Sequence, residues 1–383
     1  MSSSYVRESF NRFPAWSQGF WTWFTGCALA GQKPVFNHTW LSYLVLTLLA
    51  FFGGACLSIT SLEYRYAYWP AALLLGMSLS LGSGRVMILV VAHQCIHKRF
   101  SGNSKFDMAV AEIVTALTIF DDANAFIDEH IKEHHHHNSF ATLDDPPVQW
   151  LINIGIEPGK SKRQLWIQTI KTFLSPAFYY SNIKNRIISN LKSTLWRRCF
   201  FFAWLSMWAA IAVFFEHGIE ILIFGLIIPL VILTQISITM DRLGEHMWLC
   251  TPDEAWGVND RQATATWARF CGEALPERGL AIHKALYQWS KWILKMCLYH
   301  FPMRIFVLVG NLPAHDFHHR YPRTANWPIA AYARQWDIDE GLEGKPPYNE
   351  VWGAFAAVDK MFESLSHVTN PPKRFDSKTA SSQ

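Results

Sequence analysis

The sequence is poor in charged residues and lacks the cysteine patterns of small stabilised or zinc-binding domains. Charged residues make up 17% of the 383 positions, and the net charge of +4 is small. A weak and dispersed positive charge does not favour nucleic acid as a partner. The seven cysteines include no CxxC pair, so neither a zinc ribbon nor a framework of disulfides fits them.

Motifs for the common electron-transfer cofactors are also missing. The chain has no HPGG-type haem motif, no GxGxxG nucleotide-binding turn and no cysteine pattern for an iron–sulfur cluster. The sequence therefore indicates no haem, nucleotide or iron–sulfur electron carrier within the chain.

Long apolar runs are abundant. Half of the residues are hydrophobic, and the 18 tryptophans suit a membrane interface better than a soluble core. Four runs, at 39–60, 70–92, 199–215 and 221–240, carry almost no charge. The first has enough residues for a helix of about 33 Å, against a hydrocarbon core of roughly 30 Å. Because the runs form two close pairs, they predict membrane spans rather than buried helices of a soluble protein.

The predicted fold is an all-α integral membrane protein with four transmembrane helices in two hairpins. The links at 61–69 and 216–220 contain a single basic residue, whereas 98–198 is rich in lysine and arginine. By the positive-inside rule, the long segments and both termini face the cytoplasm, and a cytoplasmic helical cap carries the histidines described below. We expect a multi-pass protein of a bacterial inner membrane.

The rest of the chain divides around these spans. We predict an N-terminal cytoplasmic or interfacial segment at 1–38, a membrane domain at 39–322, a cytoplasmic part at 323–370 and a disordered tail at 371–383. The aromatic stretch 10–24 predicts an interfacial helix, and 109–120 a helix along the membrane surface. The stretch 295–312 contains His300 and Arg304, which favours a re-entrant or interfacial helix.

Histidines are concentrated in three short windows. HQCIH follows the second apolar run, EHIKEHHHH lies at 129–137, and HDFHH lies at 315–319, while His246 follows the fourth run. All of them fall on the predicted cytoplasmic side. The run of four histidines at 134–137 leaves the register of the second window open. The candidate metal ligands are His93, His97, His130, His134, His135, His246, His315, His318 and His319.

The spacing within these windows suits metal binding. Residues three or four apart share a helix face, so His93 with His97, and His130 with His134, can point at one centre. Nine imidazoles are too many for one zinc ion but give two metals four or five nitrogens each. Imidazole suits iron, copper, nickel and zinc alike, so that the ligands alone leave the metal open.

These windows, in this order and with paired spans between them, resemble the integral-membrane fatty acid desaturases and their hydroxylase relatives. HQCIH is similar to the first box of that family, EHIKEHH to the second and NLPAHDFHHRYP to the third. RLGEH resembles the isolated Glu-His after the fourth span, and TLDDPP the acidic stretch after the second box. One departure is Gln94, where the family usually has an acid.

The resemblance implies a centre of two ferrous ions that uses molecular oxygen to remove hydrogen from a fatty acyl chain. It also implies a separate electron carrier, namely a ferredoxin, rubredoxin or cytochrome with its reductase. No residue beyond the metal ligands is expected to act catalytically. Carboxylates near the boxes are expected to accept the other ring N–H of a ligand and so fix its orientation. These candidates are Asp128, Asp145, Glu245 and Asp316.

Three functions fit the sequence. The first is a fatty acyl desaturase. The second uses the same centre as an alkyl-chain hydroxylase, or as a fatty acid decarboxylase that leaves a terminal alkene. The third is a metal transporter, which would place its ligands near the bilayer midplane. Since no histidine falls inside the four apolar runs, the enzymes are favoured. The length of the acyl chain, the carbon attacked and the carrier of the acyl group depend on the shape of the substrate tunnel, which the sequence leaves open.

Overall fold

The computed structural model describes residues 4–251, 255–257 and 259–375, and it divides into two compact units. The span unit consists of Thr39–Lys132 and Ile167–Thr239. The second unit consists of Met1–His38, Glu133–Trp166 and Met240–Gln383. Each unit is therefore assembled from stretches that are distant in the sequence.

Four helices in the described part of the chain are long and apolar enough to cross a membrane, which confirms the predicted fold class. They are Trp40–Tyr64, Trp69–Ile96, Leu195–Phe214 and Gly218–Gly244, and we call them the first to fourth spans. The second span is π-helical at Met87–Ala92 and the fourth at Ile223–Leu233. The cytoplasmic placement of the other helices stays a prediction.

The spans extend beyond the apolar runs that predicted them. The first begins at a capping box, in which Ser42 N–H donates to the Thr39 hydroxyl and Thr39 N–H donates to the Ser42 hydroxyl. It continues through polar residues to Tyr64. The second continues to Ile96, one turn past the apolar run, and thus contains His93. Hydrophobicity measures how much of a helix lies in lipid, whereas backbone hydrogen bonding decides where the helix ends.

The turns of the two hairpins meet at one end of the span unit. The Glu63 carboxylate accepts hydrogen bonds from the backbone N–H groups of Glu216 and His217, each at 3.2 Å. Arg65 pairs with Glu220 beside them. Because each hairpin reverses direction here, His93 and His97 lie at the other end of the second span.

The span unit also contains shorter helices. They are Ser104–Leu117, Ala123–Phe126, most of Ile127–His134, most of Lys162–Leu174, and Pro176–Lys192. Arg197, fully buried at the start of the third span, connects several of them. Its guanidinium donates to Glu112, to Asn190 at 3.0 Å and to the Phe120 carbonyl at 3.1 Å. The helix predicted at 109–120 thus begins and ends slightly earlier and is anchored by a buried ion pair.

The second unit is also mainly helical, with two four-residue strands among its described residues. Trp267–Phe270 pairs in parallel with Asn349–Trp352. The helices are Ser4–Ser9, Phe10–Arg12, Ala15–Ser17, Gln18–Thr25, Pro146–Asn153, Arg261–Ala265, Ile282–Val307, Leu312–Arg320, Trp327–Ile329, Ala330–Asp339, Leu342–Gly344 and Ala354–Ser366.

The stretch predicted as a re-entrant or interfacial helix is part of a longer element. A continuous helix runs over Ile282–Val307, and the next, Leu312–Arg320, is bent away from it by 78°. The second of these carries the HDFHH window. Of the predicted disordered tail, 371–375 contains no helix or strand, and the part from 376 onward lies outside the described residues.

Close approach of the first two spans depends on two glycines. A Cβ at Gly54 would lie 2.7 Å from the Gly76 carbonyl oxygen and 2.8 Å from Ser80 N, both backbone atoms. We expect Gly54→Ala to destabilise the protein by about 1–3 kcal/mol, because the helices must move apart. Thermal unfolding in detergent would measure this loss.

The neighbouring glycine provides the control. A Cβ at Gly53 would meet no atom within 4 Å, and alanine is the better helix former. Gly53→Ala should therefore leave stability unchanged or slightly raised. Equal effects of the two substitutions would show that the close approach is not required.

Candidate metal centre

Three histidines of the span unit converge where the second span ends. Nε2 of His93 lies 2.7 Å from Nε2 of His130 and 3.2 Å from Nε2 of His97. The His93 Nδ1–H points at the Leu89 carbonyl oxygen, 3.3 Å away. Because that bond places the ring proton on Nδ1, Nε2 of His93 presents a lone pair to the other two rings. We call these three residues the span cluster.

Six further histidines lie close together in the second unit, and we call them the second cluster. Its members are His134, His135, His246, His315, His318 and His319. His134, His246 and His319 can supply nitrogens within 4.8 Å of one another. Nε2 of His319 is 3.1 Å from that of His315, and Nε2 of His318 is 3.3 Å from that of His135.

The second histidine window is divided between the two clusters. His130 belongs to the span cluster, whereas His134 belongs to the second cluster. The backbone from Ile127 to His134 is π-helical, so the spacing of four residues does not have the geometry of an α-helix. The sequence left open which histidines of the run 134–137 face the cluster. His134 is buried, whereas His136 and His137 are exposed.

Asp145 orients His134. Nδ1 of His134 lies 3.1 and 3.2 Å from the two carboxylate oxygens, and Asp145 also accepts from Ala141 N–H at 2.6 Å. Burial lowers the pKa of His134, but the Asp145 carboxylate outweighs it, and the pKa is raised overall. With its proton held on Nδ1, His134 offers Nε2 as a metal ligand.

His246 is held from the other side of the cluster. Its Nδ1 lies 2.9 Å from the Thr266 hydroxyl. Burial lowers the pKa of His246 well below its usual value, which favours the neutral ring that metal binding requires. Its Nε2 is buried and has no hydrogen-bond partner among the described residues. A buried nitrogen without a hydrogen-bond partner lowers the stability of the fold unless a ligand binds it.

An aromatic wall shields this part of the cluster. The fully buried Phe140 packs against His134, His246 and His319, with ring centroids 4.9–5.3 Å apart. Trp248 lies 4.7 Å from His246. These side chains exclude water and fix the ring planes, which strengthens electrostatic interactions at the nitrogens.

Acidic residues near the boxes have different surroundings. Glu245 lies 3.8 Å from Nε2 of His315 and joins His315 and His246 in a potential ligand group. Asp316 is buried and holds Arg334 through its Nε and Nη2 atoms at 2.9–3.0 Å. Asp128 lies apart, since its side chain is 63% exposed and pairs with Lys132.

Arg334 connects the third histidine window to the C-terminal part of the chain. It also lies 3.4 Å from Glu350, and its guanidinium stacks over Tyr348 at 4.4 Å. The Tyr348 hydroxyl donates to Asp337 at 2.6 Å. Neither Arg334 nor Thr266 was among the residues that the sequence singled out, since each contacts the cluster only through the fold.

The donor set in each cluster fits a metal ion. At metal–nitrogen distances of about 2.1 Å, two imidazole nitrogens on one zinc-like ion lie roughly 3.0–3.4 Å apart. Most of the Nε2 pairs above fall in or near this range, and only His93–His130 is closer. Without a cation, the two nitrogens of such a pair either face each other with their lone pairs or share a single proton, which one ring donates to the other. Nitrogen-rich sites of this kind suit iron as well as zinc.

Comparison with known proteins supports this interpretation. Residues 64–275, more than half of the chain, match the family model described as fatty acid desaturase. No curated protein matches the sequence significantly. The matched region contains the first two histidine windows and His246, whereas the third window lies beyond it.

The contact between Asp145 and His134 predicts a measurable effect on metal retention. Asp145→Asn removes the charge that holds the Nδ1 proton and should weaken metal binding about 10–100-fold. Iron content after competition with a chelator measures this effect. Asp144→Asn is the matched control, because Asp144 is the exposed neighbour. Equal retention in the two variants would contradict the role assigned to Asp145.

The buried pair of Asp316 and Arg334 predicts a large effect on stability. Arg334→Ala leaves a buried carboxylate uncompensated and should cost about 3–5 kcal/mol in thermal unfolding. Arg334→Lys keeps the charge but loses the two-pronged contact, and its loss should be smaller. The exposed Arg323 serves as the control, and Arg323→Ala should be neutral. A loss no larger than this control would show that the pair does not stabilise the window.

Proposed function

The chain belongs to the fatty acid desaturase family, and we propose that it is an oxygen-dependent fatty acyl desaturase with two iron ions. The convergence of buried and half-buried histidines, within a chain of four spans, is the observation that carries this proposal. Acyl chains of lipids reside in the bilayer, and an enzyme with four spans is suited to reach them.

The proposed reaction removes one hydrogen from each of two adjacent carbons and forms a double bond. Molecular oxygen is reduced to two waters, which requires two further electrons and two protons. We propose that a separate ferredoxin, rubredoxin or cytochrome delivers these electrons with its reductase, because the chain carries no motif for such a cofactor.

Nine histidines are proposed to hold the two ions: His93, His97, His130, His134, His135, His246, His315, His318 and His319. Bound iron would supply the activation of oxygen that attack on an unactivated carbon needs. The protein supplies orientation. Asp145 and Thr266 direct His134 and His246, and the Leu89 carbonyl directs His93. Glu245 is proposed as a nearby carboxylate that compensates part of the metal charge.

A second candidate uses the same residues for hydroxylation of an alkyl chain, or for decarboxylation of a fatty acid to a terminal alkene. Gln94 is the observation that favours this second function. It follows the first ligand histidine, it is 1% exposed, and it places a neutral amide where the family usually has an acid. A change beside a ligand can redirect an oxidant without disturbing the metal site.

We further propose a bacterial inner membrane as the location, with both termini in the cytoplasm. The single basic residue in the hairpin turns and the many in 98–198 support this orientation. The hairpin turns would then face the opposite side of the membrane.

Product analysis tests the function. We expect cells that express the protein with a suitable electron carrier to convert saturated acyl chains to chains lacking two hydrogens, as mass spectrometry would detect. His97→Ala and His315→Ala should abolish this conversion and lower bound iron while the protein still inserts in the membrane. Gain of oxygen would favour the hydroxylase, and loss of a carbon the decarboxylase.

His217→Ala is the control, because His217 lies in a hairpin turn at the other end of the span unit. It should keep full activity and iron. Active protein without iron would refute the proposal, as would full turnover in either ligand variant. Uptake of metal ions into vesicles without any change in lipid would favour a transporter instead.

A further inference from the structure

One helix of the second unit exposes a ladder of apolar side chains. Along Ile282–Val307, Leu286, Leu294 and Leu298 are 65%, 57% and 74% exposed. Leu286 and Leu294 lie about two turns apart on the α-helical part Ile282–Lys295, and Leu298 follows about one turn later in the π-helical part Met296–His300. A soluble protein rarely leaves such a strip uncovered.

The N-terminal helix Gln18–Thr25 continues this strip. Its Phe24 ring stacks on Phe301 with centroids 6.3 Å apart, and Trp21 meets Trp292 edge-on at 6.1 Å. Phe20 is 51% exposed on the same short helix, and Trp16 just before it is 85% exposed. We name the combination of Trp16, Phe20, Leu286, Leu294, Leu298 and Phe301 the outer apolar surface.

Charge on the helix identifies a suitable partner. The segment 282–307 contains Lys284, Lys291, Lys295 and Arg304 but no acidic residue. Lys284 and Lys291 are exposed and lie two turns apart, along one edge of the apolar strip. An apolar strip bordered by lysines and rich in tryptophan and phenylalanine matches the boundary between anionic headgroups and acyl chains.

We propose that the outer apolar surface binds the surface layer of a lipid bilayer, with the helix Ile282–Val307 lying in the plane of the membrane. The four spans anchor the same molecule in a bilayer, so that lipid is always present at high effective concentration. A crossing orientation is disfavoured, because it would carry Lys284, Lys291 and Lys295 into or across the hydrocarbon. The second unit then has a lipid contact of its own, independent of the spans.

Spin labels can measure this contact directly. In protein whose exposed cysteines are replaced by serine, single labels at positions 286, 294 and 298 are compared with labels at 284 and 291. The full chain is placed in nanodiscs containing anionic lipid. Collision with oxygen and with a water-soluble nickel complex then gives the depth of each label.

The first three labels should lie about 5–10 Å below the headgroup level, protected from nickel and open to oxygen. The two lysine positions should be accessible to nickel. Replacing anionic with neutral lipid should reduce the depth, since the lysines then lose their partners. Because neither iron nor turnover enters these measurements, they do not depend on the proposed function.

Three results would overturn the proposal. Nickel access at all five positions would show that the surface faces water or awaits a protein partner. Dipolar coupling between labels on two copies would identify a second chain as the occupant. A depth that increases steadily from 286 to 298 through the middle of the bilayer would mean that the helix spans the membrane.

Discussion

Imidazole nitrogens that face one another set the main constraint on this protein, because a neutral ring has only one proton for two nitrogens. Asp145 is an acceptor and fixes the proton of His134 on Nδ1, as the Leu89 carbonyl does for His93. The Nε2 atoms of these rings must then accept. In both clusters, Nε2 atoms face one another at about 3 Å, and a cation satisfies all of them together where a shared proton satisfies only one pair. The buried Asp145, Thr266 and Phe140 make sense as the means of maintaining that arrangement.

The membrane part of the fold was largely predictable from the sequence. All four spans were predicted from runs of apolar residues, because the hydrocarbon core requires that composition over a known length. Their ends were not, since the Thr39 capping box and the polar last turn at Tyr64 involve hydrogen bonds that hydropathy does not sense. The extra turn at His93–Ile96 has the same origin, and it brings His93 of the first histidine window into the second span.

The candidate site was predictable in its ligand types but not in its grouping. The clustering of histidines stands out in the sequence, whereas the separation of His130 from His134 depends on a π-helical backbone that spacing alone does not reveal. Asp145 was recognisable as a nearby acid. Arg334 was not, because its contact with Asp316 joins residues 18 positions apart on different helices. Asp316, in the middle of a histidine window, therefore has a structural role as the partner of Arg334.

Glu245 illustrates how burial and a cation would act on one carboxyl group. Burial raises its pKa, and the neighbouring Asp241 raises it further. Arg242 and Arg269 oppose this shift without cancelling it. A metal ion held by His246 and His315 would reverse this tendency, because an adjacent cation favours the ionised carboxylate. Glu245 thus differs from Asp145, which is already paired with His134.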